Sequence, residues 1–109
     1  MSEYVVDRAE CSRHAVLPGV DMYTVAGQQM MLSLVELQPN AVIKSHSHPH
    51  EQMGMLLEGE MKLTVAGQSH NVRPGQMWRI PGDVEHAVAA GERGAKALDV
   101  FHPVREDYR

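Results

Sequence analysis

Short runs of this chain alternate between apolar and polar residues, which is the pattern of strands that bury one face. The segment 60–65 reads Glu-Met-Lys-Leu-Thr-Val, and the segments 77–80 and 97–101 follow the same rule. No window carries a sustained helical stripe of apolar residues. The pattern therefore predicts an all-β fold.

Turn-forming residues separate these runs at intervals of roughly eight to twelve residues, a spacing typical of β-sandwiches and barrels. The predicted strands are 22–26, 30–38, 42–47, 52–58, 61–65, 69–72, 77–80, 86–90 and 95–101. A short opening strand is expected within 4–16, paired at a sheet edge or with a second subunit. Residues 104–109 follow a proline and either fold back over a barrel mouth or fray.

Composition narrows the class of protein. The 109 residues predict one domain over 1–109, and a net charge of -4 with scattered basic residues argues against a nucleic-acid partner. With 5% aromatic residues, the core is expected to consist of Val, Leu, Met and Ala. Cys11 is alone, and neither a signal peptide nor a long apolar run is visible. These features predict a soluble cytoplasmic protein without a membrane partner.

Histidine is the residue type that suggests chemistry, since the chain has seven. His46 and His48 share one face of an extended strand, about 6–7 Å apart, where both can reach one ion. Gln52 has the same parity, and His86 opens a later strand after a tight turn. An ordinary polar strand face is the alternative for such a pair, so the pair alone does not settle the matter.

The segment 39–90 resembles the cupins, whose first motif places two histidines, a glutamate and a glycine at fixed offsets. His46, His48 and Gly59 match that motif. Gln52 stands where the family has glutamate, and the glycine expected near Asn40 is missing.

The second cupin motif is matched at Gly75, Pro81 and His86, while Asp83 and Ala90 replace its glycine and asparagine. The resemblance implies a cupin-type jelly-roll β-barrel, also called a double-stranded β-helix. It also implies a divalent metal bound by His46, His48, Gln52 and His86. Glu51 is a rival ligand that faces away in a regular strand, and His50 is a further substitute; the remaining histidines, His14, His70 and His102, lie outside both motifs.

A narrower resemblance concerns the segment 97–109, which carries an Asp-x-Phe-x3-Arg pattern. It is similar to cupins of pectin degradation that convert 4,5-unsaturated monouronates, released from pectin or alginate, into linear ketonised sugars. The resemblance implies an isomerase-type enzyme of carbohydrate metabolism with Gln52, Asp99, Phe101 and Arg105 as active-site residues. It also implies a homodimer.

The residues leave several of these assignments open. Asp99 either faces the barrel interior as a proton carrier or lies on the surface, with Leu98 and Val100 inside. Arg105 either binds a substrate carboxylate or is a solvated terminal charge. Trp78 is expected to be structural.

The sequence does not identify the expected metal, because imidazole and amide ligands suit nickel, zinc, iron, manganese and cobalt almost equally. Cupins host many activities, so two other functions remain open. A metal-dependent dioxygenase would consume oxygen, and a non-enzymatic sugar-binding cupin would bind ligand without forming product.

Overall fold

The computed structural model describes residues 4–109. These residues form eight strands and two short 3-10 helices, Arg8–Glu10 and Glu106–Tyr108. In chain order the strands are β1 (Ser12–Leu17), β2 (Val20–Ala26), β3 (Met31–Leu37), β4 (Val42–His46), β5 (Glu51–Val65), β6 (Gln68–Val72), β7 (Met77–Ile80) and β8 (His86–His102). The predicted all-β class is confirmed.

All strand pairs are antiparallel, and β5 and β8 form the centre of the arrangement. Strands β3, β2 and β1 continue the sheet beyond β8, while β6 and β7 pair with β5. Strand β4 pairs with the first part of β8. The expected opening strand exists as β1, which pairs with β2 at the edge of the sheet.

The sequence predicts one turn between the strands 52–58 and 61–65 and another between 86–90 and 95–101, and both predictions are wrong. The segments 58–60 and 91–94 do not end strands; they are irregular stretches inside β5 and β8, which each join two predicted strands. Gly59 has φ +85° and Gly94 has φ +71°, and a Cβ on Gly59 would lie 2.1 Å from the Gly94 carbonyl oxygen. Glycine is therefore needed because two backbones approach closely at a bulge.

The core is built from small and aliphatic side chains, as composition predicts. Along β5, Met61 and Leu63 are buried while Lys62 between them is exposed. The main cluster also contains Leu56, which has no exposed surface, and alanines of β8. Alternation in sequence thus corresponds to inward and outward faces.

The C-terminal segment folds back onto the barrel. Val104 is buried with Met31 and Phe101 in a second apolar cluster, and Tyr108 packs against both clusters. Of the two outcomes expected for 104–109, the structure shows the folded one.

Candidate functional site

Three histidines meet at one end of the barrel. His46 ends β4 and His86 begins β8, and the two are cross-strand partners. His48 follows in the loop before β5 and is buried, as is His86. One nitrogen from each ring lies within 4.8 Å of the others, which is close enough for a shared metal ion.

The hydrogen bonds of the three rings leave Nε2, rather than Nδ1, available as a metal ligand. Each ring uses Nδ1–H to donate to a backbone carbonyl two residues away, at 2.8 Å for His46, 3.0 Å for His48 and 2.9 Å for His86. A carbonyl only accepts, so the neutral ring must carry its proton on Nδ1 and present the lone pair of Nε2. Nε2 of His86 is buried and has no hydrogen-bond partner among the described residues.

The environment keeps the rings of His48 and His86 neutral. Burial, helped by the charge of Arg105, lowers the pKa of His48 to about 4. Burial also lowers the pKa of His86. Because metals bind the deprotonated imidazole, these two rings are ready for a cation at neutral pH.

Gln52 completes the set of candidate ligands. It is buried on β5, and its Oε1 lies 3.1 Å from Nε2 of His48. Its side chain also hydrogen-bonds to Asp99, whose carboxylate accepts only, so the amide NH2 points to Asp99 and Oε1 points to His48. Two acceptors then face each other, an arrangement that a cation between them stabilises.

The residues therefore fit a divalent metal with nitrogen and oxygen ligands. His50, the expected substitute, contacts the His48 ring at 5.5 Å but is not part of the histidine cluster. Glu51 is exposed, as expected for a residue on the outward face of β5. The assignment of His46, His48, Gln52 and His86 as ligands remains a prediction.

Asp99 faces the interior. On β8 the inward set is Ala95, Ala97, Asp99 and Phe101, all buried, while Leu98 and Val100 are only partly buried. The alternative, in which Leu98 and Val100 face the interior and Asp99 lies on the surface, is therefore wrong. Burial raises the pKa of Asp99 to about 6, although hydrogen bonds from Gln52 and Trp78 oppose the shift.

Trp78 contacts Asp99 directly, which the sequence did not indicate. Its Nε1–H donates to Asp99 Oδ1 at 2.8 Å. Gly54 lies between them, since its cross-strand partners are Trp78 on β7 and Asp99 on β8. A Cβ on Gly54 would lie 2.3 Å from that oxygen and 2.5 Å from the indole nitrogen. The glycine in the middle of the predicted strand 52–58 was the available signal for this close approach.

Arg105 lies between two aromatic rings. Its guanidinium carbon is 5.3 Å from the Phe101 ring centre and 4.6 Å from that of Tyr108. The side chain is 14% exposed, and its Nε is buried without a hydrogen-bond partner. One terminal nitrogen lies 3.5 Å from the exposed carboxylate of Asp107. Arg105 is therefore not the free terminal charge that the sequence left open.

These groups share one cavity of about 70 Å³. Its polar lining residues are His46, Gln52, His86, Asp99 and Arg105, and Phe101 and Trp78 also contribute. The remaining wall is aliphatic. A carboxylate, a guanidinium and candidate metal ligands thus surround a small, mainly apolar space, as is usual for small-molecule sites.

The other histidines lie apart from this cavity. His70 and His102 are exposed. His14 contacts the C-terminal segment instead, since its Nε2 lies 3.1 Å from the Tyr108 carbonyl oxygen. Among the described residues, no helix is long and apolar enough to cross a membrane.

Comparison with known proteins agrees with this architecture. The cupin domain model matches residues 33–101. The chain is 34% identical over 71 residues to the dimethylsulfoniopropionate lyase DddW of Ruegeria pomeroyi, covering 65% of this chain and 47% of the lyase, about half its length. It is 24% identical over 80 residues to the pectin degradation protein KdgF of Dickeya dadantii, covering 72% of this chain and 73% of that protein. The solved structure of KdgF from Halomonas sp. superposes with a TM-score of 0.84 at 25% identity, covering 93% of this chain and 94% of that one.

Metal content tests the histidine cluster. The protein purified without chelator should contain close to one divalent ion per chain, and His86→Ala should weaken binding by at least about 100-fold, because it removes a direct ligand. Elemental analysis after dialysis measures this. His70→Ala, which removes an exposed histidine, should retain the metal. Equal metal content in both variants would reject the site.

The buried carboxylate predicts a pH-dependent stability in the metal-free protein. Because the folded-state pKa of Asp99 is about 6 against an ordinary value of 3.8, its contribution to stability is present at low pH and is lost as pH rises through 6. Asp99→Asn should therefore match the parent near pH 4 and be more stable at pH 8, by up to about 3 kcal/mol. Urea unfolding at both pH values measures the difference. A variant less stable than the parent at pH 8 would contradict the proposed burial of charge.

Proposed function

This chain belongs to the cupin domain family, and from that premise we propose that it is a metal-dependent enzyme that linearises 4,5-unsaturated monouronates. The reaction opens the sugar ring and yields the ketonised product, an isomerisation that needs no oxidant. The observation that carries the proposal is the placement of Asp99 and Arg105 in one cavity beside the histidine cluster. The likeness to KdgF over most of both chains supports it.

Each part of the substrate has a complementary group in the cavity. A monouronate carries one carboxylate, and the planar guanidinium of Arg105 suits it because Nε has no other partner. Phe101, 3% exposed, forms a wall against which a sugar ring packs. The small cavity favours a small molecule over a polymer.

Asp99 carries the proton. In ring opening the anomeric hydroxyl loses its proton, and the bond between the anomeric carbon and the ring oxygen breaks. The ring oxygen takes up a proton and becomes an enol hydroxyl, while the anomeric carbon becomes an aldehyde. The enol hydroxyl then loses its proton as the former alkene carbon gains one, which leaves a ketone. A buried carboxylate with a pKa of about 6 can accept and return a proton near neutral pH.

Other groups orient these steps. Trp78 holds one Asp99 oxygen, and the Gln52 amide holds the carboxylate from the direction of the histidines. A divalent ion held by His46, His48, Gln52 and His86 would supply Lewis-acid polarisation of substrate oxygens. Nickel, zinc, iron, manganese and cobalt remain the candidates.

A lyase acting on dimethylsulfoniopropionate is the second candidate, because the chain is 34% identical to DddW over 71 residues. That substrate also carries a carboxylate for Arg105, and Asp99 would remove a proton from carbon. Oxygen consumption would instead favour the dioxygenase, and binding without product would favour the sugar-binding protein.

Kinetic assays separate these functions. The metal-loaded protein should speed the loss of ultraviolet absorbance of an unsaturated monouronate above its spontaneous rate, without consuming oxygen. Asp99→Asn should lower kcat by at least about 100-fold while metal content is kept, because it removes the proton carrier. Arg105→Met should mainly raise KM.

Matched variants control for loss of charge. Asp21→Asn removes a carboxylate that pairs with Arg13 on the barrel surface, and Arg93→Met removes an exposed guanidinium. Both should retain activity. The uronate function would be replaced by the lyase function if two results came together. The protein would not accelerate uronate conversion with any of the five metals, and it would release dimethyl sulfide from dimethylsulfoniopropionate.

We also propose that the enzyme is cytoplasmic and that two copies pair through the outer face of the sheet. Leu32, Val100 and Met53 lie side by side across β3, β8 and β5, and Leu32 and Met53 are 43% and 52% exposed. A continuous apolar surface of this kind suits an isologous interface.

Sedimentation equilibrium should show a dimer. Met53→Glu should dissociate this dimer because it places a charge in the apolar interface, whereas Glu92→Gln, at the bend in β8, should leave it intact. A monomeric parent protein would overturn this assignment.

A further inference from the structure

The C-terminal segment that carries Arg105 contacts the strands β1 and β2. The segment after Pro103 turns back over the barrel, where Val104 is buried. The 3-10 helix Glu106–Tyr108 then carries Tyr108 over the guanidinium. A short terminal segment of this kind frays unless other groups hold it.

Two donors from the N-terminal strands hold this segment at one atom. Thr24 on β2 donates its hydroxyl to the Tyr108 carbonyl oxygen, and His14 on β1 donates Nε2–H to the same oxygen at 3.1 Å. The His14 ring also meets the Tyr108 ring edge-on, with centres 5.3 Å apart. Thr24 is only 2% exposed, so the hydroxyl makes this bond in a dry environment.

Tyr108 in turn contacts Arg105 in two ways. Its backbone N–H donates to the Arg105 carbonyl at 3.0 Å, and its ring lies 4.6 Å from the guanidinium carbon. Phe101 covers the guanidinium as well. The side chain lies against these rings and lines the cavity, and its Nε is buried without a hydrogen-bond partner.

We propose that His14 and Thr24 are positioning residues for substrate binding, which together with Tyr108 form a clamp that orients Arg105 toward the substrate carboxylate. The proposal rests on the proposed function in assigning that carboxylate to Arg105. Neither His14 nor Thr24 lines the cavity, so both act through the tail. A guanidinium held in place before binding loses less conformational freedom when the anion arrives, and affinity rises accordingly.

Uronate binding tests the clamp. D-galacturonate, a saturated uronate that cannot be linearised by this route, serves as the probe in calorimetry with the metal-loaded protein. Thr24→Val, which keeps the shape but removes the hydroxyl, should raise Kd by about 3–10-fold, the equivalent of one net hydrogen bond. Thr24→Ser, which keeps the hydroxyl, should have the same Kd as the parent. For the unsaturated substrate, Thr24→Val should raise KM and leave kcat within about twofold of the parent, because Asp99 is untouched.

A control and a second readout separate the clamp from general destabilisation. Thr64→Val removes a threonine hydroxyl that bonds only Ser69 in a surface hairpin, and its Kd should not change. In the ligand-free protein, the Arg105 Nε–H resonance, identified by its loss in Arg105→Lys, should exchange slowly with solvent. Thr24→Val should speed that exchange, and adding His14→Phe should speed it further.

The outcomes distinguish the clamp from the proposed function. If the parent binds no uronate but Nε–H protection still depends on Thr24, the clamp stands and the uronate assignment fails. If Thr24→Val keeps both the parent Kd and the protected Nε–H, the clamp is overturned. Equal losses of kcat and of metal in Thr24→Val would also overturn it, because they would mean general damage to the barrel.

Discussion

The candidate site depends on the pairing of β5 with β8. The register sets Gln52 beside Phe101 and Gly54 beside Asp99, so residues far apart in sequence become neighbours on one inward face. A slip of one residue would turn Asp99 to the outside and bring Val100 into the cavity. Since the apolar core fixes which face of each strand is buried, the same hydrophobic effect that stabilises the barrel also fixes the chemistry.

The candidate site also depends on the bend in β5 and β8. Between the paired positions Ala90–Met61 and Ala95–Gly59, β8 has four residues where β5 has one. This bulge lets one strand contribute to both halves of the barrel. His86 from the first half and Asp99 from the second consequently line the same cavity.

The cavity combines groups that work against stability. Burial makes the charged forms of His48 and Asp99 unfavourable, and the protein leaves Nε atoms of His86 and Arg105 without partners. Buried polar atoms without partners typically destabilise a fold by about 1–3 kcal/mol each, so their retention points to a ligand that satisfies them. A cation beside the histidines and an anion beside Arg105 would each do so.

The sequence by itself determined the fold class and the parity of the strands, because alternation is a local property of a strand. It predicted the group of His46, His48, Gln52 and His86 through the resemblance to the cupins. It marked the positions of 58–60 and 91–94 as irregular but misread them as turns, since only the pairing of two long strands distinguishes a bulge from a turn.

Tertiary structure alone decided three matters: that Asp99 points inward, that Trp78 reaches it across Gly54, and that Thr24 holds the tail bearing Arg105. Each depends on contacts between distant segments. No local pattern specifies such contacts, because burial of a face is a property of the assembled barrel rather than of the strand.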